Sequence, residues 1–222
     1  MAANKMAHEE LKYAEFLALM YRSDCKEVIN AEHQRVISEK NAVDEAKQII
    51  VMLTQKKENG KEKCYPYWSD VEQTSFRLGK FQITTTNIEK FPHYVKSTLV
   101  LTDGVEATQT VIHFNFTAWP DHDVPKNTSE FVSFVLKVRQ CQRELHEHSL
   151  QNGHKLSQPR PIVVHCNAGL GRTPCYCVVG ISISKFNQNQ TVSIPSIVSS
   201  IRQKRFHSLF NLFQYFFLLR SG

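Results

Sequence analysis

Cys166 and Arg172 stand six residues apart within PIVVHCNAGLGRTP, residues 161–174, and this pairing could carry nucleophilic chemistry on an anion. The apolar run at 161–164 reads as a short buried strand that delivers Cys166 to the mouth of a loop, with a helix from about 173. The backbone N–H groups of such a loop can turn inward and cradle a phosphate, helped by the positive end of the helix. That makes Asn167, Ala168, Gly169, Leu170, Gly171 and Arg172 the candidate phosphate-binding residues. Gly169 and Gly171 let the backbone approach a ligand without an intervening Cβ. Arg172 offers a planar fork to two phosphate oxygens, which lysine does not. Positive surroundings also favour the thiolate of Cys166, its nucleophilic form. The bare spacing is weak in a chain with six cysteines and 10 arginines. The apolar strand, His165, the two glycines and the hydroxyl of Thr173 make it far more selective than a structural cysteine beside a helix cap requires.

The elements that must position this loop follow from the pattern along the 222 residues. Residues 9–38 carry an apolar face at helical spacing, and a second short helix is expected over 41–47. Ile49 to Leu53 form an uninterrupted apolar run of the kind found in strands buried on both faces. After the charged turn KKENGKEK, strands are expected at about 63–68, 75–88, 93–102 and 106–117, the last two joined by the hairpin signal Asp103-Gly104. Residues 119–128 read as a loop stiffened by Pro120 and Pro125. A helix opens at Asn127 with Glu130 three residues on; its stripe is Phe131, Phe134, Val135, Val138, Cys141 and Leu145. Two more helices are expected at about 192–204 and 211–220. The fold class is α/β: a twisted mixed β-sheet flanked by helices.

Composition narrows the function without choosing it. Hydrophobic residues are 41% of the chain and charged residues 22%, enough apolar material to bury a core. The net charge of +6 suits an anionic ligand, but no block of like charges marks a nucleic-acid surface, and none is expected as a partner. No stretch nears the roughly 18 uninterrupted apolar residues of a membrane span. Glu9 and Glu10 sit where a secretory leader would need an apolar core. The cysteines form no CxxC pair and read as free thiols of a reducing compartment, so the expected location is the cytoplasm. Cys175 and Cys177, two apart on one helix, point in different directions and are not expected to bind a metal.

At residues 161–174 the sequence resembles the protein tyrosine phosphatases, whose signature is His-Cys-x5-Arg-Ser/Thr. WPDHDVP, residues 119–125, is similar to the acid loop of that family. The resemblance implies hydrolysis of phosphotyrosine in proteins through a cysteinyl-phosphate, with no cofactor and no metal. It implies Cys166 as nucleophile, Arg172 on the phosphate, and Asp121 as the acid that protonates the leaving tyrosyl oxygen and then the base toward water. Thr173 would hydrogen-bond the departing thiolate, and Trp119 would anchor the acid loop. IIVMLTQKKENGKEKCYPYW resembles the family segment whose glutamate braces the signature arginine, which assigns Glu58 to that brace. The same segment sets Lys63 near the acid loop and Tyr67 near His165. Aligning Arg202 and Arg205 with the family's arginines puts Phe210 where a water-positioning glutamine is usual, and leaves Gln214 as the second glutamine of that region.

The resemblance covers about residues 50–222 and leaves the rest divergent. Residues 1–48 contain no Lys-Asn-Arg-Tyr-like loop of the kind that stacks on a phosphotyrosine ring, and some N-terminal elements of the family layout are expected to be missing. Asn167 replaces a usual serine, Pro174 a glycine, and Asp123 a glycine. The expected organisation is one phosphatase-like domain over 1–222, with a helical N-terminal segment at 1–48 and a catalytic core at 49–222. EFLALM and EVINAEHQRVI near the N-terminus are similar to the leading helix of the polydnavirus tyrosine phosphatases carried by parasitoid wasps. That resemblance implies action in the cytoplasm of infected host cells, against immune signalling. Phe210 and the missing loop leave two rivals: a weakly active protein that traps phosphotyrosine partners, and a shallower pocket that takes other phosphomonoesters.

Overall fold

The computed structural model describes residues 48–79, 81–102, 108–120, 123–153, 157–209 and 211–220. The helices expected over 9–38 and 41–47, the missing N-terminal elements and the Asp103-Gly104 hairpin lie outside the described residues.

Among the described residues, eight strands and four helices follow one another. They are β1 (Gln48–Met52), β2 (Lys57–Glu58), β3 (Lys61–Glu62), β4 (Thr74–Leu78), β5 (Phe81–Lys90), β6 (Tyr94–Thr102) and β7 (Thr108–Phe116). Helix α1 (Thr128–Gln151) follows, then β8 (Ile162–His165), α2 (Arg172–Asn187), α3 (Ile194–Lys204) and α4 (Leu212–Leu219). Six strands make one mixed sheet in the order β4-β5-β6-β7-β1-β8. Strands β4 to β7 are antiparallel neighbours, whereas β1 runs parallel to both β7 and β8. Position in the sheet explains composition. β1 has a strand on each side and is covered on both faces, so it reads as a continuous apolar run.

Alternation along β1 separates two cores. Ile49 and Val51, with Leu53 just beyond the strand, face the helices together with Ile112, Phe114, Phe116, Val164, Phe131, Phe134 and Val138. Ile50 and Met52 face the other way, onto Trp68, Tyr67, Leu99, Leu101 and Val111. The period of two is the pleat of the strand. Asn127 caps α1 by accepting the Ser129 N–H at 3.0 Å, and its amide reaches Glu130 at 3.3 Å. Phe131, Phe134, Val135 and Val138 then lie on the buried stripe the sequence set out.

Two strand expectations are corrected. Residues 63–68 are not a strand: the amides of Lys63 and Cys64 both donate to the Lys56 carbonyl, and Pro66 has no N–H for a ladder. This segment instead lays Tyr67 and Trp68 across the second face of the sheet. The expected strand 75–88 is two strands, with Leu78 paired to Phe81 across a two-residue turn. Gly79 has φ +58°, the left-handed conformation such turns require.

Candidate active site

Strand β8 ends at His165, and the chain then leaves the sheet beside the end of β1, where the Leu53 amide donates to the His165 carbonyl at 2.8 Å. Cys166 therefore starts its loop from a fixed strand end. The loop bends back on itself at Gly169, with φ +59°. The Gly169 N–H consequently points at the sulfur and meets Cys166 Sγ at 3.0 Å. Thr173, in the first turn of α2, donates its hydroxyl to the same sulfur at 3.2 Å. Two donors thus converge on one buried Sγ, an arrangement suited to negative charge there.

Arg172 is the first residue of α2, and its guanidinium is spread across two other segments. Nη1 meets Glu58 Oε1 at 2.5 Å and Nη2 meets Oε2 at 3.0 Å. Nη1 also donates to the Leu53 carbonyl at 3.1 Å, and Nη2 to the Pro120 carbonyl at 3.2 Å. Glu58 is held in turn by the Thr54 hydroxyl at 2.9 Å and the Gln55 N–H at 3.1 Å. These bonds satisfy a carboxylate that is only 8% exposed, as burial of a charge demands. The brace depends on the β2–β3 hairpin, where Asn59 and Gly60 turn at positive φ.

The link between α3 and α4 closes the loop from below. The Leu209 N–H donates to the Leu170 carbonyl at 2.7 Å, and Arg205 reaches the Ala168 carbonyl at 3.4 Å. Arg202 holds the carbonyls of Ser208 and Leu209 at 2.9 and 2.7 Å. These bonds hold Leu209 at φ +55°, a conformation costing roughly 1–2 kcal/mol for a residue with a side chain. Gln214 lies against Gly171: a Cβ added there would come within 2.6 Å of its Nε2 and 2.8 Å of its Oε1. The Oε1 atom is buried without a hydrogen-bond partner among the described residues.

Behind the sulfur, Tyr67 Oη lies 2.7 Å from His113 Nε2 and 2.8 Å from His165 Nε2. Burial lowers the pKa of His165 to about 4, against a hydrogen bond to the Cys166 backbone that favours the charged ring. His113 is held well below the ordinary histidine range by burial first, then by repulsion from His165 and Lys56. Burial and then Cys64 push the Tyr67 phenol well above 10. All three are neutral at pH 7.

The structure therefore gathers Cys166, Asn167 to Thr173, Glu58, His165, Tyr67 and Gln214 around one loop. Trp119 is buried against Phe131 and Phe217, and its indole N–H donates to the Asp123 carbonyl at 2.7 Å. Asp121 and Phe210 lie outside the described residues. Lys63 is half-buried, and the acid-loop position that the resemblance sets beside it is outside them too. Thr54, Asn115 and His113 were not singled out by sequence. Asn115 donates to the carbonyls of Met52 and Thr54 at 3.3 and 2.8 Å and so fixes the end of β1. A polar residue inside the apolar strand VIHFNF is the signal that marks both Asn115 and His113. Among the described residues no group of three or more His, Cys, Asp or Glu is placed to hold a metal ion, and no helix is long and apolar enough to cross a membrane.

A mixed sheet whose parallel outermost strand β8, paired to the inner strand β1, launches a cysteine into an anion-binding loop closed by an arginine at a helix start is the framework of cysteine-dependent phosphatases. The chain belongs to the protein-tyrosine phosphatase family, whose model matches residues 40–221. Tyrosine phosphatase H2 of Microplitis demolitor bracovirus is 46% identical over 173 residues, 78% of this chain and 53% of that protein. Tyrosine phosphatase-like protein J1 of the same virus is 35% identical over 170 residues, 76% of this chain and 56% of that protein. Human tyrosine-protein phosphatase non-receptor type 9 is 33% identical over 175 residues, covering 78% of this chain and 29% of its own length. The chain thus spans about half the length of the bracoviral relatives it matches.

Proposed function

We propose that the protein is a protein-tyrosine phosphatase acting as one domain. The observation that carries this reading is the convergence of the Gly169 N–H and the Thr173 hydroxyl on Cys166 Sγ, beside an arginine locked onto Glu58. In the first step Cys166 Sγ attacks phosphorus and the bond to the tyrosyl oxygen breaks. Asp121 delivers a proton to that oxygen, so a neutral phenol leaves instead of a phenolate. The backbone amides of the loop from Asn167 to Gly171 and the positive charge of Arg172 carry the charge on the transferring phosphoryl group. In the second step water attacks the cysteinyl-phosphate, Asp121 takes its proton, and the P–S bond breaks with the electron pair returning to sulfur. Thr173 and Gly169 receive that thiolate. The unbonded Oε1 of Gln214, next to Gly171, supplies an acceptor for the attacking water and favours turnover over mere capture of phosphotyrosine partners.

The likeness to bracoviral tyrosine phosphatases supports a setting in the cytoplasm of infected insect cells, with phosphotyrosine proteins of host immune signalling as substrates. The deciding experiment is phosphate release from a phosphotyrosine peptide, with Cys166→Ser as control. Release by the parent protein and none by the variant is expected. No release from folded parent, with tight peptide capture by both proteins, would replace the enzyme with a trap.

A further inference from the structure

His113 has no part in the chemistry above, yet it is 1% exposed and engaged with Tyr67. Tyr67 Oη lies within hydrogen-bond reach of two imidazole nitrogens and has one proton. It must therefore donate to one ring and accept from the other.

The far ends of the chain set its direction. His165 makes a second bond, to the backbone of Cys166, of the kind that stabilises a protonated ring. Such a bond is donated by the ring, so its acceptor is the Cys166 carbonyl. Nε2 of His165 already faces Tyr67, which leaves Nδ1–H as that donor. A neutral ring has a single N–H, so Nε2 of His165 is a bare acceptor and Tyr67 donates to it. The Tyr67 oxygen then accepts from His113 Nε2–H. His113 Nδ1 is left unprotonated, and it is the atom found buried with no hydrogen-bond partner among the described residues. A buried bare lone pair is tolerated better than a buried unbonded N–H, which the opposite direction would create.

We infer that His113 is a positioning residue for the nucleophile, acting through a one-way hydrogen-bond chain from His113 Nε2–H to Tyr67, to His165, and from His165 Nδ1–H to the Cys166 carbonyl. The peptide from Cys166 to Asn167 is trans, so its N–H points opposite to its carbonyl. Holding the carbonyl against His165 therefore aims the Asn167 N–H toward the phosphate position. The inference rests on the reading of Cys166 as the phosphatase nucleophile.

Two measurements test it. Long-range 1H–15N spectra of the histidine rings in the parent protein are expected to give His165 as the Nδ1–H tautomer and His113 as Nε2–H. Inorganic phosphate binding is then compared for the parent, His113→Gln, which keeps a side-chain N–H, and His113→Leu, which has none. His113→Leu is expected to bind phosphate about fivefold to tenfold more weakly, and His113→Gln within about twofold of the parent. Reversed tautomers, or a folded His113→Leu protein that binds phosphate like the parent, would overturn the chain. If His113→Leu does not fold, the tautomers and the His113→Gln affinity still decide. A folded parent that neither binds phosphate nor hydrolyses phosphotyrosine overturns the phosphatase reading, and the role of His113 with it, whatever the tautomers are.

Discussion

Arg172 and Glu58 meet through two parallel hydrogen bonds of 2.5 and 3.0 Å, although 114 residues separate them in the chain. The pair is shielded, with side-chain exposures of 11% and 6%, so its geometry is set by packing and not by solvent. Each Nη nitrogen also donates to a carbonyl, of Leu53 or of Pro120. One guanidinium thus ties the end of β1, the β2–β3 hairpin and the start of the acid loop to the anion-binding loop.

Replacing Glu58 with glutamine keeps the shape of this contact and removes its charge. We expect kcat/KM on p-nitrophenyl phosphate to fall by roughly 10- to 100-fold, because a guanidinium no longer held by a carboxylate presents its charge to the phosphate out of register. Glu58→Ala should also lower the melting temperature, since it takes the carboxylate away from a buried ion pair, at a cost of about 3–5 kcal/mol. Steady-state kinetics beside thermal melts separate the two effects, and unchanged kinetics in both variants would remove the brace from the mechanism.

Gly171 is the position where the loop and Gln214 share space. A methyl group there would sit 2.6 Å from Nε2, so Gly171→Ala should displace the Gln214 amide. In rapid-quench assays the burst of phenol should persist while the steady-state rate falls about tenfold or more. Gln214→Ala should reproduce the same pattern without the steric conflict. Loss of the burst in Gln214→Ala would move its role to the first step.

Asp121 is assigned to leaving-group protonation, and that role has a distinctive dependence. Asp121→Asn should slow hydrolysis of phenyl phosphate by roughly 100-fold or more and of aryl phosphates with acidic phenols much less, since a good leaving group needs no proton. Equal losses across a series of phenols would place the effect of Asp121 outside proton transfer.

The buried histidines make stability depend on pH. Above about pH 6.5 the rings are neutral in both folded and unfolded chains and contribute nothing. Between about 6.5 and 4 the unfolded chain binds protons that native His165 does not, because its pKa is lowered to about 4 by burial. Stability therefore falls as pH falls through this window, by about 3 kcal/mol from His165 alone; His113, shifted the same way, steepens it. Urea titrations at pH 7.5 and 4.5 would measure the drop. A His165→Asn variant should have a flatter profile over the same interval, and an equally steep one would assign the slope to carboxylates instead.

Much of this arrangement was legible in one dimension. The apolar strand, the glycines and the cysteine–arginine spacing lie within 14 consecutive residues, 161–174, so local chain geometry alone puts Cys166, Arg172 and Thr173 around one loop. The stripe of α1 followed from its period, and the double-sided apolar run of β1 from its central place in the sheet. Elsewhere the sequence misled for a physical reason. Residues 63–68 have strand-forming composition, but the Lys56 carbonyl takes the amides of Lys63 and Cys64 and Pro66 offers none. The break at Gly79 was hidden because one glycine with φ +58° turns the chain without a longer polar loop.

What the sequence by itself determined, then, is the nucleophilic loop, because every group that shapes it is bound to its neighbours by a few rigid peptide units. The family resemblance named Glu58, Tyr67 and Gln214 near that loop, but only the tertiary structure decided how they meet it and added His113 to them. Glu58 reaches Arg172, Tyr67 reaches His165 and His113, and Gln214 fills the space beside Gly171, across separations of 114, 98, 46 and tens of residues. These contacts exist because the parallel pairing of β1 with β7 and β8 brings three distant strand ends to one edge of the sheet. Strand register and burial, neither visible in any single segment, choose which of many charged and aromatic residues stand there.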